Sequence, residues 1–399
     1  MKWNHLATTL LLMGACLALV RADDFADRRA ALKKGTYVLL GTPEQDGETR
    51  DGFFQEPNFY YLTGLRDPGG AVMITDGVAT IYLDKRNAKR EVWTGRKLAF
   101  EDQPALGATL KPMDTLAGDL AAVKGKVFTL PELRPRLQKL ASGLEFEDAS
   151  PSLQRLRMRK SAGELAIMQK AIDASIAAHK ASWKVVRPGL YEYELANAMS
   201  SVYFSRGCER HAYAPIVGSG PNGTVLHYFR NSRRMDAGEL VLMDVGAECS
   251  GYAGDITRTV PVNGKFTPRQ REIYEAVLKA EKAVIAAAKP GATIKQLKQV
   301  AIDTLNKHRQ PLGDFMIHGV SHHIGLDVHD FADNDVPLAA GAVITVEPGV
   351  YLPKESLGIR IEDMILITEQ GSVVLTADLP KEAAEIEKIM AQEGAARGH

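Results

Sequence analysis

Residues 241–259 read VLMDVGAECSGYAGDITRT, two short apolar runs folded about a polar turn, each carrying one aspartate. The expected turn is Glu248-Cys249-Ser250-Gly251, where Gly251 accepts the positive φ that closes a tight hairpin. A fold-back centred there makes Asp244 and Asp255 direct cross-strand partners. Opposed residues of an antiparallel pair hold their Cβ atoms about 4.5–5.5 Å apart, so both carboxylates point to one face and meet. Two acids that close need a cation or a shared proton.

Residues 341–368, GAVITVEPGVYLPKESLGIRIEDMILIT, repeat the arrangement. Glu347 and Glu362 fall opposite one another about a centre near Lys354-Glu355. Between the two hairpins lies HGVSHHIGLDVHD, residues 318–330, which holds four of the chain's ten histidines. Imidazole is the commonest metal ligand. At an effective dielectric of about 20, two unit charges roughly 5 Å apart repel by about 3 kcal/mol, and four clustered carboxylates by on the order of 15–20 kcal/mol. Two divalent cations would cancel that charge. Any one of these acids alone could be an exposed strand residue or half of a salt bridge, but charge is disfavoured in apolar strands unless paired. The whole constellation asks for metal.

Working outward, residues 1–22, MKWNHLATTLLLMGACLALVRA, have the form of a secretory signal peptide. Lys2 opens a polar start, an apolar run extends from Leu6 to Val20, and Val20 and Ala22 precede a cut near Asp23. That run is shorter than the about 20 residues a spanning helix needs, so no stable membrane anchor is expected. Lipid on Cys16 is the lesser alternative. The expected location is outside the cytoplasm, periplasmic or secreted. The whole chain has 49 basic and 49 acidic residues, and losing Lys2 and Arg21 leaves it close to neutral. Such a balance gives no electrostatic support for nucleic acid or an anionic membrane as partner. Cys208 and Cys249 remain after cleavage. They could pair in an oxidising compartment, although two cysteines make no disulfide framework.

The rest of the chain is long for one core, so two domains are expected. Residues 23–155 alternate strand-like runs (TYVLLGT, NFYYLTG, AVMITDG, VATIYLD, VFTL) with helical stretches at 25–34 and 113–124, a smaller α/β domain. ASPSLQRLRMRKSAGEL, with Pro151 and its basic cluster, reads as the junction. From there to residue 399 the order is helix, helix, strands, twice over. Helices are predicted at 161–186, 191–206, 267–288 and 293–308, with Ser161 and Glu164 forming a capping box and Thr267-Pro268 with Gln270 a strong start. Each half ends in a hairpin bearing two acids, which places the metal site between two related halves.

These motifs resemble the metallopeptidases of the methionine aminopeptidase, aminopeptidase P, prolidase and creatinase superfamily. The resemblance implies an α+β chain: a pita-bread catalytic domain with a pseudo-two-fold repeat over 156–399, preceded by the smaller α/β N-terminal domain over 23–155. HGVSHHIGLDVHD, VEPGVY, GIRIED and GYAGDITRTVPVNGKFTPRQREIY look like Xaa-Pro peptidases, especially bacterial aminopeptidase P. FFQEPNFYYLTG and REVWTGR resemble the N-terminal domain of aminopeptidase P, which argues against methionine aminopeptidase. The resemblance carries five metal ligands onto Asp244, Asp255, His322, Glu347 and Glu362. It sets His227, His318, His329, Tyr351 and Arg360 around the substrate, and gives His323 no role. Creatinase shares the fold without these ligands. The segments between Tyr351 and Gly358 and between His308 and His318 are shorter than the forms that resemble them in aminopeptidase P.

Oxygen ligands with a single imidazole suit Mn²⁺, with Co²⁺, Fe²⁺ or Zn²⁺ able to substitute. The family pattern implies two ions bridged by Asp255 and Glu362, with Asp244 on one ion and His322 with Glu347 on the other. It implies attack by a metal-bridging hydroxide on the bond between an N-terminal residue and a following proline. Glu347 is the expected proton acceptor, and His318 or His329 the expected oxyanion stabiliser. Proline donates no N–H and needs a shaped apolar slot, around which the resemblance places His227, His318, Tyr351 and Arg360. An Xaa-Pro dipeptidase shares all of this and differs in needing a group, for which Arg360 is the candidate, to bind the free carboxylate of the product end. A catalytically silent metal-binding protein is the reading from another class, recognised by metal affinity without peptide turnover. A homo-oligomer, dimer or tetramer, is expected, with a neighbouring subunit or open solvent beyond Leu352–Gly358.

Overall fold

The computed structural model of the protein describes residues 22–44, 52–330 and 335–397. Apart from Ala22, the expected signal peptide lies outside the described residues. Between Leu156 and Arg157 the chain divides into two units.

The first unit is built on a six-stranded mixed sheet in the order β4-β3-β2-β1-β5-β6. Its strands are β1 (Thr36–Leu40), β2 (Ala71–Thr75), β3 (Val78–Leu83), β4 (Thr109–Pro112), β5 (Val127–Thr129) and β6 (Phe146–Asp148). Every residue of β1 is buried, which suits its continuous apolar sequence at the centre of the sheet. The helices are α1 (Ala22–Ala30), α2 (Pro57–Thr63), α3 (Ala88–Thr94), α4 (Leu116–Ala121) and α5 (Arg134–Leu140). The expectation of a strand at NFYYLTG is corrected, since Pro57–Thr63 is helical. The Glu56 carboxylate caps it by accepting from the Asn58 and Phe59 N–H groups, Pro57 starts it, and Gly64 ends it in the left-handed region. Those end signals outweigh the strand preference of Phe59, Tyr60 and Tyr61. The unit boundary falls inside α6 (Ser150–Met158).

In the second unit α7 (Ala162–Val185) and α8 (Glu192–Ser205) pack together, as do α9 (Pro268–Ala287) and α10 (Ile294–Leu305). These are the four predicted helices. The boxes Ser161/Glu164, Thr267/Gln270 and Thr293/Gln296 are all formed. After the first pair come β7 (Arg210–His211), β8 (Ile216–Ser219), β9 (Leu240–Val245), β10 (Ala247–Cys249), β11 (Tyr252–Ala253) and β12 (Ile256–Pro261). After the second come β13 (Val343–Val346), β14 (Gly349–Leu352), β15 (Leu357–Arg360), β16 (Asp363–Thr368) and β17 (Gly371–Val374), with α11 (Ala383–Arg397) last. A disulfide joins Cys208 to Cys249.

The first hairpin corrects the predicted register. Asp244 pairs with Thr257 and Cys249 with Tyr252. The loop is therefore Ser250-Gly251, with φ of 51° and 82°, the two positive values that a type I′ turn requires. It lies one residue later than expected, which displaces the register by two and leaves Asp255 diagonal to Asp244 instead of opposite. Side chains alternate with period two, so this displacement keeps both acids on one face. Gly246 falls opposite Asp255, and a Cβ there would stand 1.8 Å from the Gly254 carbonyl oxygen, so the waist of the hairpin closes only on glycine.

The second hairpin follows its predicted register. Val346 pairs with Asp363 and Gly349 with Arg360, so Glu347 and Glu362 face each other at the gap between the two ladders. Residues 320–324 run along β13. Glu347 N–H donates to the Val320 carbonyl (2.9 Å) and Thr345 N–H to that of His322 (3.0 Å).

Candidate metal centre

A cavity of about 500 Å³ opens where the two hairpins and the 318–330 segment meet. Asp244, Asp255, His322, Glu347 and Glu362 all line it, together with His227, His318, His329 and Arg360. Tyr351 is buried behind this wall, its hydroxyl 2.8 Å from His318 Nε2. The structure therefore brings every sequence-predicted site residue to one place.

Ligand atoms of Asp255, His322 and Glu362 lie within 4.8 Å of one another. His322 Nε2 is 3.5 Å from Asp255 Oδ2 and 3.6 Å from Glu347 Oε1. His322 Nδ1 donates to the His323 carbonyl (3.1 Å), which fixes the tautomer and turns the Nε2 lone pair of the neutral ring toward the acids. His323 alternates to the other face, where it is buried and lines no part of the cavity.

Burial raises the Asp255 and Glu362 carboxyls above their usual range, and the neighbouring acids add to it. Burial likewise lifts Glu347 to about 7, partly offset by His322 and Arg360. For His322 burial opposes the charged form, but Asp255 and Glu347 overcome it and raise the imidazole to about 9. A proton thus stands in for positive charge among these side chains. Hard carboxylate oxygens with one oriented imidazole fit a divalent cation in that place.

The hydrogen-bonding around the acids adds two residues that the sequence did not reveal. The Tyr213 hydroxyl lies 2.5 Å from both Asp244 Oδ1 and Asp255 Oδ1. Thr257, directly opposite Asp244, donates from Oγ1 to Glu362 Oε2 (2.7 Å) and so ties the first hairpin to the second. No spacing rule marks Tyr213, whereas the corrected register would have exposed Thr257.

Arg360, 3 % exposed, uses each of its three side-chain nitrogens in a hydrogen bond. It pairs with Asp244 (2.5 Å) and donates to the Tyr351 hydroxyl (2.7 Å) and Thr257 Oγ1 (3.2 Å). The Tyr351 hydroxyl in turn donates to His318 Nε2, because His318 Nδ1 already donates to the Gly319 carbonyl (2.6 Å). Burial, helped by Arg360, lowers His318 to about 4, which agrees with a neutral ring. His329 is more exposed and lies beside His322, ring centroids 4.2 Å apart and planes tilted by 40°. Its loop is anchored by Asp330, which pairs with Arg157 and with Lys160 (2.8 Å).

Residues 166–369 match the description "Metallopeptidase family M24", and residues 25–125 match "Aminopeptidase P, N-terminal domain". The chain belongs to metallopeptidase family M24. It is similar to the Xaa-Pro aminopeptidase of Haemophilus influenzae, 35 % identical with 94 % of this chain and 99 % of that protein covered. It is also similar to the Xaa-Pro dipeptidase of Pyrococcus furiosus, 34 % identical over 81 % of this chain and 92 % of that one. The solved structure of Escherichia coli aminopeptidase P with the inhibitor Pro-Leu superposes with a TM-score of 0.84 at 29 % identity, covering 94 % of this chain and 100 % of the other. The two matches together make the fold a pita-bread catalytic domain preceded by an N-terminal aminopeptidase P domain, and membership in M24 makes divalent metal its cofactor.

Proposed function

We propose that this M24 enzyme is an Xaa-Pro aminopeptidase that removes the N-terminal residue from peptides with proline second. The observation that carries the reading is the convergence of four acids and one oriented imidazole beside a cavity large enough for a peptide end. Asp244, Asp255, His322, Glu347 and Glu362 would hold two divalent ions, Mn²⁺ being the best match to this ligand set. When bound, such ions supply an activated water near neutral pH and polarise a carbonyl.

The chain's own residues supply the rest. Glu347, which lines the cavity beside His322, is the candidate to take and relay a proton. His318, held neutral with its Nδ1–H committed to Gly319 and its Nε2 to Tyr351, positions the cavity wall; His329, less buried, is the better placed donor toward developing negative charge. Ile216, Leu226, Phe229 and Val328 give the cavity an apolar side for the proline ring, with His227 at its edge.

The aminopeptidase reading is favoured over the dipeptidase because Arg360 already satisfies Asp244 and Tyr351 and has little exposed surface left for a free carboxylate. Comparing kcat/KM for Xaa-Pro, Xaa-Pro-Xaa and longer peptides at fixed Mn²⁺ tests it. Turnover of the dipeptide alone overturns the assignment, and tight metal binding without any turnover supports a silent metal-binding protein.

Export through residues 1–22 belongs to the same reading, supported by the apolar run Leu6–Val20 and consistent with a Cys208–Cys249 disulfide. The expected mature N-terminus is Asp23, and mass spectrometry of protein from its source finding Met1 intact would refute it. Association into dimers or tetramers is expected as well, and light scattering showing a monomer would remove that element.

A further inference from the structure

Outside the metal cluster, the Glu192 carboxylate accepts hydrogen bonds from four residues, and the mechanism leaves it unused. It is the first residue of α8 and has no exposed surface. Its Oε1 accepts from Ser219 N–H (2.7 Å), Ser219 Oγ (2.7 Å) and Asn222 Nδ2 (3.1 Å). Its Oε2 accepts from the Tyr228 hydroxyl (2.9 Å) and Arg233 N–H (2.9 Å). The Glu192 N–H also donates to the Arg233 carbonyl (2.9 Å). One buried side chain thus gathers the start, middle and end of the segment 219–233. A charge-assisted set of this kind holds a loop more firmly than neutral contacts do, and leaving the carboxylate's donors unmet in the interior is costly.

That segment carries the cavity residues Leu226, His227 and Phe229. His227 and Phe229 themselves are exposed and lean on one another, ring centroids 5.8 Å apart. Nothing in their own contacts fixes them as firmly as Glu192 fixes the backbone on either side. Leu226 and Tyr228 add packing against Ile216, Leu242 and Tyr351.

We propose that Glu192 is a positioning residue for substrate recognition, holding the 219–233 loop so that His227 and Phe229 form the apolar edge of the site that receives the peptide. The proposal rests on the Xaa-Pro reading for the identity of the peptide, but not for the action on the loop. Glu192 touches neither metal ligands nor the reacting atoms. Its loss should therefore weaken binding of substrate and transition state alike, raising KM and leaving kcat nearly alone.

The test compares wild type, Glu192→Gln, Tyr228→Phe, His227→Ala and the Glu192→Gln/His227→Ala double variant in the full chain loaded with Mn²⁺. An amide cannot accept from both Ser219 and Arg233 N–H, so Glu192→Gln should raise KM for Xaa-Pro-Xaa by about tenfold or more, with kcat changed by less than about threefold. Tyr228→Phe, which keeps the carboxylate, should give a smaller rise in the same direction. In the His227→Ala background the Gln change should add less than about twofold, because the two act through one wall. Amide exchange should quicken over 220–232 in Glu192→Gln and stay unchanged over 241–259. Metal content should equal that of wild type. Full multiplicative effects in the His227→Ala background, or collapse of kcat with loss of metal, overturn the proposal. If Glu192→Gln does not fold, the Tyr228→Phe result decides, an unchanged KM and unchanged exchange counting against it. If wild type cleaves no Xaa-Pro peptide, the functional reading fails, while the exchange comparison still judges whether Glu192 holds the loop.

Discussion

The two acid-bearing hairpins reach the same cavity by different geometry. In the first, Asp244 stands within a ladder, opposite Thr257, while Asp255 stands at the gap between two ladders, opposite Gly246, and Tyr213 lies between the two carboxylates. In the second, the ladder is interrupted, and Glu347 and Glu362 face each other across the gap. The first pair is held by a phenol, the second by its place in the chain and by Thr257 reaching across from the first hairpin. Exact opposition is therefore not what a site of this kind needs. Parity is: an even displacement keeps both acids on the inner face, an odd one sends one of them outside.

The strongest way to break the comparison is to remove one acid from each hairpin. Asp255→Asn and Glu362→Gln should each lose bound metal and lower kcat/KM by more than about a thousandfold, since even one transition-state donor is worth about 10²–10³. Elemental analysis and steady-state rates measure it, and a variant that keeps full metal and near-native rate would separate the hairpins in function.

Metal removal comes next, read through pH. In the metal-free protein Glu347 titrates near 7 instead of 4.5, so between those values the folded state keeps a proton the unfolded chain has released. Stability then falls as pH rises through that window. His322, raised from 6.5 to about 9, acts in the same direction, its contribution complete below 6.5 and lost by about 9. The melting temperature of chelated protein should therefore drop between pH 5 and pH 9. With saturating Mn²⁺ the trend should flatten or reverse, because metal needs the ligands deprotonated. A chelated protein that grows more stable over this range contradicts the crowding of the acids.

The link between the hairpins gives a smaller effect. Thr257→Val keeps the shape and removes the hydroxyl that donates to Glu362 and accepts from Arg360. Metal affinity should weaken by about 10–100-fold, the usual consequence of losing a partner that orients a ligand. Isothermal titration with Mn²⁺ checks it, and an unchanged affinity would mean that Glu362 is oriented by the chain alone.

Much of this was legible from residue order. Two helix starts were readable because Ser161 and Thr267 each carry their capping partner three residues on, a signal confined to four positions. The second hairpin was readable because apolar residues flank its acids symmetrically. The first was displaced because Ser250 takes a left-handed conformation that glycine or asparagine would have announced. NFYYLTG misled because its aromatic residues favour a strand, while the decision lay with Glu56, Pro57 and Gly64 around it. Tyr213 and Glu192 were invisible because their roles arise from contacts 31 and 27 residues or more away in the chain, to Asp244 and Ser219. The commitment of Arg360 to Asp244 is likewise a fact of packing, not of spacing.

The smallest expected effect concerns the two turns, and it sharpens the comparison without touching the chemistry. Ser250 and Ser356, one in each turn, have φ of 51° and 50°, the left-handed region that side chains other than asparagine and glycine occupy at a cost. In the first turn Ser250 precedes Gly251 in a two-residue loop, so Ser250→Asn creates the Asn-Gly pair that type I′ turns favour. In the second, Ser356 closes a four-residue loop after Pro353–Glu355, and Ser356→Asn relieves the same local strain without altering the loop type. Neither serine lines the cavity. Each change should stabilise by up to about 1 kcal/mol, part of the roughly 1–2 kcal/mol that most side chains pay in the left-handed region and asparagine partly escapes. In a unit of this size that is about 1–3 °C in melting temperature. kcat/KM and metal content should stay at wild-type values in both. Ser250→Asn should give the larger gain, because its turn alone sets the register of the ladder that carries Asp244. A loss of stability at Ser250 with a gain at Ser356 would mean that the first hairpin does not turn on Ser250-Gly251, and the diagonal placement of Asp244 and Asp255 would fall with it.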